Sequence, residues 1–331
     1  MNYKMRLNIK IFQIIFLGIV LMSCNKEEIE LDYSIESISS NPDLNFHQVA
    51  FINENTGFVV GGQRGQSGYI YKTSDGGQSW DLSFYTDRSL YAINFQNETT
   101  GFAGGEKLIL LKTFDQGVSW EEYNFPYYPD ELYIVPFKKI EFVNDTIVYL
   151  VGGKYFDRGL IAKSKNGGLW WNYDFFDYEI TSSHFFNLNY GILSGYGHFT
   201  VTRDGTESFE VMDFDDDFFT SIYFLDEKSG FACGYDGGIY KTNNSGNQWE
   251  ALINANNLWK KRVHLNDIKM LSADKGIAVG NNGVILVTYD GGNNWKSVNI
   301  NEDLKCNSIY HFGNGEIMIS CNEGKLIKLN F

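Results

Sequence analysis

The side chains best able to do chemistry in this chain are carboxylates, and the most regular of them recur in one setting. Thr73-Ser74-Asp75-Gly76-Gly77-Gln78-Ser79-Trp80 places a hydroxyl, a carboxylate two residues on, a glycine two later and an aromatic three after that. The Asp side chain there can accept hydrogen bonds from backbone N–H groups a few residues ahead, glycine takes up positive φ, and Trp restarts the chain as a strand among apolar neighbours. Five further copies follow, centred on Asp115, Asn166, Asp204, Asn244 and Asp290, at steps of 38 to 51 residues. Asn166 and Asn244 keep an acceptor oxygen, whereas the copy at Asp204 has Thr206 and Phe209 in place of Gly and Trp and is expected to be looser. One local job explains all six copies, so these positions are read as fold determinants and not as acid–base pairs.

Other candidate chemistry is sparse. Asp213, Asp215, Asp216 and Asp217 are dense enough in oxygen to suggest Ca²⁺, but their spacing departs from the EF-hand pattern and lacks its glycine. The alternation with Phe214, Phe218 and Phe219 reads instead as a solvated acidic loop pinned by apolar contacts, and no metal is assigned. Cys233, Cys306 and Cys321 allow at most one internal bridge. Cys306 and Cys321 flank a hairpin turning near Gly313-Asn314-Gly315, and both a cross-strand disulfide and two small buried residues stay open. No CxxC, Ser-centred elbow, phosphate-binding glycine loop or metalloprotease helix occurs, so no catalytic residue and no cofactor is assigned.

Composition narrows the partners. The 331 residues carry 27 Lys+Arg against 41 Asp+Glu, a net charge of −14, which excludes nucleic acid as the main partner. The only membrane contact expected is a lipid. Lys4, Arg6 and Lys10 precede an apolar stretch over 11–20 that is too short to span a bilayer, and residues 1–23 read as a signal peptide. Leu21-Met22-Ser23-Cys24 resembles the bacterial lipobox, which makes Cys24 the lipidated first residue of the mature chain. The acidic Asn25-Lys26-Glu27-Glu28 resembles a surface-export signal, so an outer-membrane lipoprotein is expected, facing either the periplasm or the exterior.

The octet resembles the Asp-box, or BNR, repeat of sialidases, sortilin-type receptors and related β-propellers. That resemblance implies a turn between the third and fourth strands of a blade, on the outer rim of the lower face. Around each octet one unit recurs: a strand, a turn, a second strand that opens with Gly-Phe or a substitute and closes in Gly, a third strand, the octet and a fourth strand. First strands are expected at 48–52, 91–95, 140–143, 184–188, 221–225 and 267–271. A seventh unit starts at 308–312 but lacks octet and fourth strand, which the otherwise unpaired stretch 29–40 would supply. The expectation is an all-β fold, a seven-bladed β-propeller over 46–331, with 24–45 as tether and closing strand.

On such a fold, ligand binding is expected on the face opposite the octets. The loops joining second and third strands bring Arg64, Arg158, His198 and Tyr235 to the channel mouth in a mixed polar ring. The links between blades add Tyr127 and Tyr128 in 125–133, an aromatic run over 173–179, and Trp259 beside the basic residues of 258–262. Exposed aromatics there suit sugar stacking or a protein partner. Sialidases carry an Arg-Ile-Pro segment and an arginine triad, whereas this mature chain has no Arg-Ile-Pro and only five arginines. Lipobox, length, GFxxG second strands and Asp-boxes together resemble the photosystem II stability and assembly factor family. With arginine scarce, what the resemblance implies is a monomeric, non-enzymatic, lipid-anchored scaffold that binds an envelope or cell-surface protein. The alternative is a cell-surface glycan-binding protein or an Asp-box glycoside hydrolase.

Overall fold

A computed structural model of the chain describes residues 28–39, 41, 43–123, 135–253 and 263–331. Cys24, Tyr127, Tyr128 and Trp259 lie outside the described residues. The described chain is built of strands, with one short 3-10 turn at Glu106–Leu108. Second strands such as Gly57–Gln63, Gly101–Gly105, Gly230–Gly234 and Gly276–Gly280 are buried almost end to end. Their apolar residues face neighbours on both sides, which is why they read as continuous rather than alternating runs. The Gly that opens each one has a specific job. Gly57 pairs with Phe51, and a Cβ there would lie 2.4 Å from the Phe51 ring. Gly101 and Gly230 receive Phe95 and Phe224 in the same way.

Among the described residues the strands form six hydrogen-bonded sheets arranged in a ring. The expectation of seven blades is corrected: five blades stand as separate sheets, and the units expected as fourth and fifth are joined in one six-stranded sheet. The joining element is Glu210–Phe224, a strand of 15 residues that pairs with Gly191–Thr202 along its first part and with Gly230–Gly234 along its last. The acidic stretch 213–217, expected as a loop, lies inside this strand. It contains neither Gly nor Pro, so no breaker interrupts the extended backbone.

The closing strand is found. Tyr33–Ser37 pairs antiparallel with Lys325–Asn330, completing the sheet that also holds Cys306–His311 and Glu316–Cys321. The expected strand 29–40 is split, because Glu28–Ile29 pairs parallel with Lys296–Val298 and adds a fifth strand to the preceding sheet. The Tyr33 hydroxyl donates to Ile300 O at 2.9 Å and ties the two sheets together. The stretch 173–179, expected as an aromatic link, belongs largely to strand Asn172–Phe176.

The first strand of each unit carries one register break where it begins pairing with the second, at positions 47, 91, 138, 181, 220, 266 and 307. Such a bulge leaves one residue unpaired and re-aims its side chain. Here the seven side chains line a cavity of about 100 Å³ on the ring axis. Four of them close the wall by donating to a backbone carbonyl of the next unit: Thr181 to Phe219 O (2.5 Å), Thr220 to Leu265 O (2.7 Å), Asn266 to Cys306 O (2.8 Å) and Asn307 to Phe46 O (2.7 Å). The next residue stitches in the reverse sense at several junctions. Gln48 Oε1 accepts from Ile93 N at 2.9 Å and Asp267 Oδ2 from Ile309 N at 2.9 Å.

The octet turns lie at the other end of the strands and all close alike. Thr73 Oγ1 accepts from Gly77 N at 2.9 Å, while Asp75 Oδ1 accepts from Gln78 N and Ser79 N at 3.0 and 2.9 Å. The copy at Asp204 is not looser: Thr202 Oγ1 accepts from Thr206 N at 2.8 Å and Asp204 Oδ1 from Ser208 N at 2.9 Å. Its difference is conformational, since Thr206 sits at φ 75 where the other copies have glycine. A lysine just before the octet hydroxyl reaches the following octet. Lys72 Nζ donates to Gln116 O at 2.8 Å and Lys241 Nζ to Gly291 O at 3.0 Å, with Lys112 and Lys163 making the same contact to Gly168 O and Gly205 O. The thiols of Cys306 and Cys321 are free, on directly paired residues with the sulfurs 3.1 Å apart.

Two outcomes follow from the turns. Replacing Thr206 by Gly removes a left-handed β-branched residue and stabilises by about 1 kcal/mol, raising Tm by about 1–2 °C for a chain of this size in a thermal melt. The Ser119 and Ser208 hydroxyls and backbone N–H groups hold Asp115 and Asp204 down at about 2, and Asp75 and Asp290 are lowered by the same kind of bonds. A folded value below the unfolded one stabilises above about pH 3.9 and is lost as pH falls toward 2. The variant with all four carboxylates changed to Asn, as Asn166 and Asn244 already are, therefore shows a flatter Tm between pH 4 and pH 2 than the parent.

Candidate functional site

The other three bulged residues are larger: His47 Nε2 meets Ser89 Oγ of the next unit at 3.4 Å, while Tyr91 and Lys138 reach beyond the axial wall. Above them a second cavity, of about 360 Å³, shares Tyr91 and Lys138 with the axial one. Its floor is held by two carboxylates. Glu106 Oε2 accepts from Gly65 N at 2.7 Å and from Ser89 N at 3.1 Å, and Arg64 Nε lies 3.8 Å from Glu106 Oε1. Glu179 Oε1 accepts from Lys138 Nζ in an ion pair, and Glu179 Oε2 accepts from Phe156 N at 2.8 Å. Both carboxylates thus anchor loops, and no Ser, Thr or Cys is among the described residues that line the cavity. With both carboxylates engaged by loop amides, the arrangement leaves a concave space in which a ligand can be held.

Titration supports the same reading. Burial, and then the charge of Lys305, pulls the His47 imidazole down to about 3, so it is uncharged at neutral pH. Burial, and then Glu106, pushes the Tyr91 phenol up to about 12. Neither group is poised to exchange a proton near neutrality.

The rim is aromatic. Tyr155 and Phe156 occupy the turn between Val148–Lys154 and Arg158–Ser164, both with left-handed φ (62 and 66), which lifts their rings outward. Phe156 meets Tyr196 at 5.1 Å and Phe218 at 5.5 Å, Phe218 meets Tyr235 at 5.6 Å, and Tyr235 meets His264 at 3.7 Å between ring centroids. Tyr155, Phe156, Tyr196 and Tyr235 are 45–55% exposed. A contiguous aromatic arc of this kind at the lip of a cavity marks an interaction surface. Lys154 lies over the Tyr155 ring at 4.7 Å and, with Arg64, adds positive charge beside it.

Of the expected site residues, Arg64 and Tyr235 line this cavity and are brought together. Arg158 stands beside Asp157 at 3.9 Å and His198 beside Asp213 at 3.0 Å, and neither is among the lining residues. Tyr155, Phe156, Tyr196 and Phe218 were not singled out from sequence. The signal for the first two was available as a pair of aromatics in the turn of a tight hairpin, between Gly152-Gly153-Lys154 and Asp157-Arg158-Gly159. Among the described residues no group of three or more His, Cys, Asp or Glu side chains is placed to hold a metal ion.

Fold and site together define a β-propeller of the BNR type with an aromatic-lipped cavity at the end of the ring opposite its octet turns. The family model for the photosynthesis system II assembly factor YCF48 matches residues 201–328, and the chain resembles that family. No curated protein matches the chain. Among solved structures, YCF48 bound to D1 peptide is similar with 17% identity and a TM-score of 0.73, over 92% of this chain and 97% of that one. YCF48 from Cyanidioschyzon merolae is similar with 16% identity and a TM-score of 0.69, over 90% and 98%. The WD40 β-propeller domain of Doa1 follows with 12% identity and a TM-score of 0.66, over 91% and 97%. At these identities the solved structures show a common fold.

Replacing Glu179 by Ala strands the Lys138 ammonium and the Phe156 amide at once. The expected cost is about 3 kcal/mol in chemical denaturation, and Glu179→Gln, which still accepts from Phe156 N, costs less.

Proposed function

We propose that this chain is a non-enzymatic binding propeller that holds an extended segment of a protein partner across the channel mouth, and that it serves as a lipid-anchored scaffold in the assembly of envelope complexes. The observation that carries the reading is the aromatic arc from Tyr155 to His264, set against a cavity whose carboxylates are already engaged. Half-exposed aromatics with few rotatable bonds supply large contact area at low entropic cost, and Arg64 and Lys154 add polar definition at the lip. The resemblance to an assembly-factor family, one member of which was solved with a peptide, supports the class of ligand. The lipid anchor at Cys24 and the outer-membrane location rest on the N-terminal sequence alone. Tyr127, Tyr128 and Trp259 are proposed to extend the same surface.

The test is affinity capture of the lipidated protein from its native envelope, with mass spectrometry of what co-purifies and a glycan array run in parallel. Phe156→Ala combined with Tyr235→Ala is expected to lower recovery of one dominant protein at least about tenfold, with Tm unchanged because both rings are half exposed. Undiminished capture by that variant overturns the assignment of the arc. Sugar binding without a stable protein partner overturns the protein-partner reading in favour of a glycan.

A further inference from the structure

The octet face carries an apolar patch that the turns themselves do not require. In the octets of Asp115 and Asn166, Phe114, Val118, Leu169 and Trp170 are 61–72% exposed. Where Val118 and Leu169 stand, the other four copies have Gln78, Glu207, Asn247 and Asn293, and where Trp170 stands the other five have Ser, Gln or Asn. Those polar residues serve the turn: Ser79, Ser119 and Ser208 each donate to the octet carboxylate at 2.6 Å, and Asn294 does so at 2.7 Å. Trp170 gives up such a bond for an exposed indole, which marks an interaction surface and not a need of the turn. The two octets are neighbours, since Lys112 Nζ and the Tyr123 hydroxyl of one unit donate to Gly168 O and Leu169 O of the next.

The place where the chain enters the ring says what covers this patch. Glu28–Ile29 runs parallel to Lys296–Val298 with Glu28 beside Ser297, so the chain enters at the octet end of that strand, just past Trp295. Cys24 stands four positions before Glu28, and that length of chain reaches at most about 14 Å. An acyl group on Cys24 therefore holds the octet end of this unit close to a bilayer. Counted round the ring, the two units that bear the patch are each three steps from the one that Glu28 joins, so anchor and patch lie on opposite sides of one face. Contacts on both sides lay that face flat. A single acyl chain binds a bilayer only marginally and stable attachment takes a second contact, for which Trp and Phe at the interface are suited.

Building on the lipid-anchor reading above, we propose that the octet face is a bilayer-docking surface, in which Phe114, Val118, Leu169 and Trp170 enter the interfacial layer across the ring from the acylated Cys24. The net charge of −14 disfavours anionic headgroups, so the surface recognised is zwitterionic. Asp115, within the patch, has its carboxylate engaged by Ser119. The aromatic mouth then faces away from the membrane, beyond first strands of six residues such as Leu90–Phe95, which span about 20 Å. It takes its partner segment from the aqueous compartment and not from within the bilayer.

The experiment uses the protein purified from its envelope and reconstituted in phosphatidylcholine vesicles with brominated acyl chains, which quench indoles at the bilayer. Intact mass reports whether Cys24 is acylated. Bromine-dependent quenching is expected in the parent and is expected to be lost in Trp170→Ser, which identifies the indole. Val118→Gln with Leu169→Gln keeps that indole and is expected to weaken its quenching, with Tm unchanged because other octets carry polar residues at this position. Tyr235→Trp in the Trp170→Ser background puts an indole at the mouth and is expected to add no quenching. Acylated protein quenched equally with and without Trp170 overturns the docking face and leaves the anchor standing, as does quenching of the mouth indole. Cys24 without acyl chains overturns both. Loss of a co-purifying protein from the double variant, with quenching unchanged, gives the patch to a protein and overturns the proposal.

Discussion

The ring depends on a single register break repeated in each inner strand. A strand paired on one edge leaves its other edge of N–H and C=O groups unanswered, and around a closed ring those edges all face one axis. The bulge at position 181, 220, 266 or 307 solves this locally by turning a Thr or Asn side chain onto the next unit's carbonyl. At several junctions the following residue accepts from the next unit's N–H. Side chains thereby replace the missing ladder between sheets. Apolar packing fills the space between neighbouring sheets, as where Phe102 and Leu110 of one meet Ile140 and Leu150 of the next.

The binding mouth is what results where that stitching is given up. At positions 91 and 138 the bulged residues are Tyr and Lys, which line both the axial cavity and the wider one above it, while His47 Nε2 meets Ser89 Oγ of the next unit at 3.4 Å. Glu106 and Glu179 take over the structural work there by accepting loop amides. The site is thus one sector of the ring in which closure of the wall has been exchanged for an accessible, charged floor beneath aromatic rings.

Most of the architecture could be read in advance because its determinants are local. The octets fix their turns through side-chain oxygens and amides within a few residues, and the Gly-Phe starts record the close approach of an aromatic ring from the partner strand. The closing strand was legible from bookkeeping, since one unit lacked its fourth strand. The bulges were not, because a one-residue slip leaves no trace in a hydrophobic pattern that is apolar on both faces. The lysines before the octets are visible in Tyr71-Lys72-Thr73 and Tyr240-Lys241-Thr242, but nothing in their spacing shows the reach to the next unit. The fused six-stranded sheet was missed because a dense acidic run suggests a loop, although nothing in 213–217 forbids extended backbone.

The pairing of Tyr33 with Leu329 joins the first part of the described chain to its last. Almost 300 residues separate that strand from its partner, so the partner is made long after it. Until then the strand has no mate, and Lys325–Asn330 has not yet been made. The ring therefore cannot close unit by unit as the strands form, but only once Lys325–Asn330 is present. A pairing between residues so far apart in sequence raises the contact order, which slows folding.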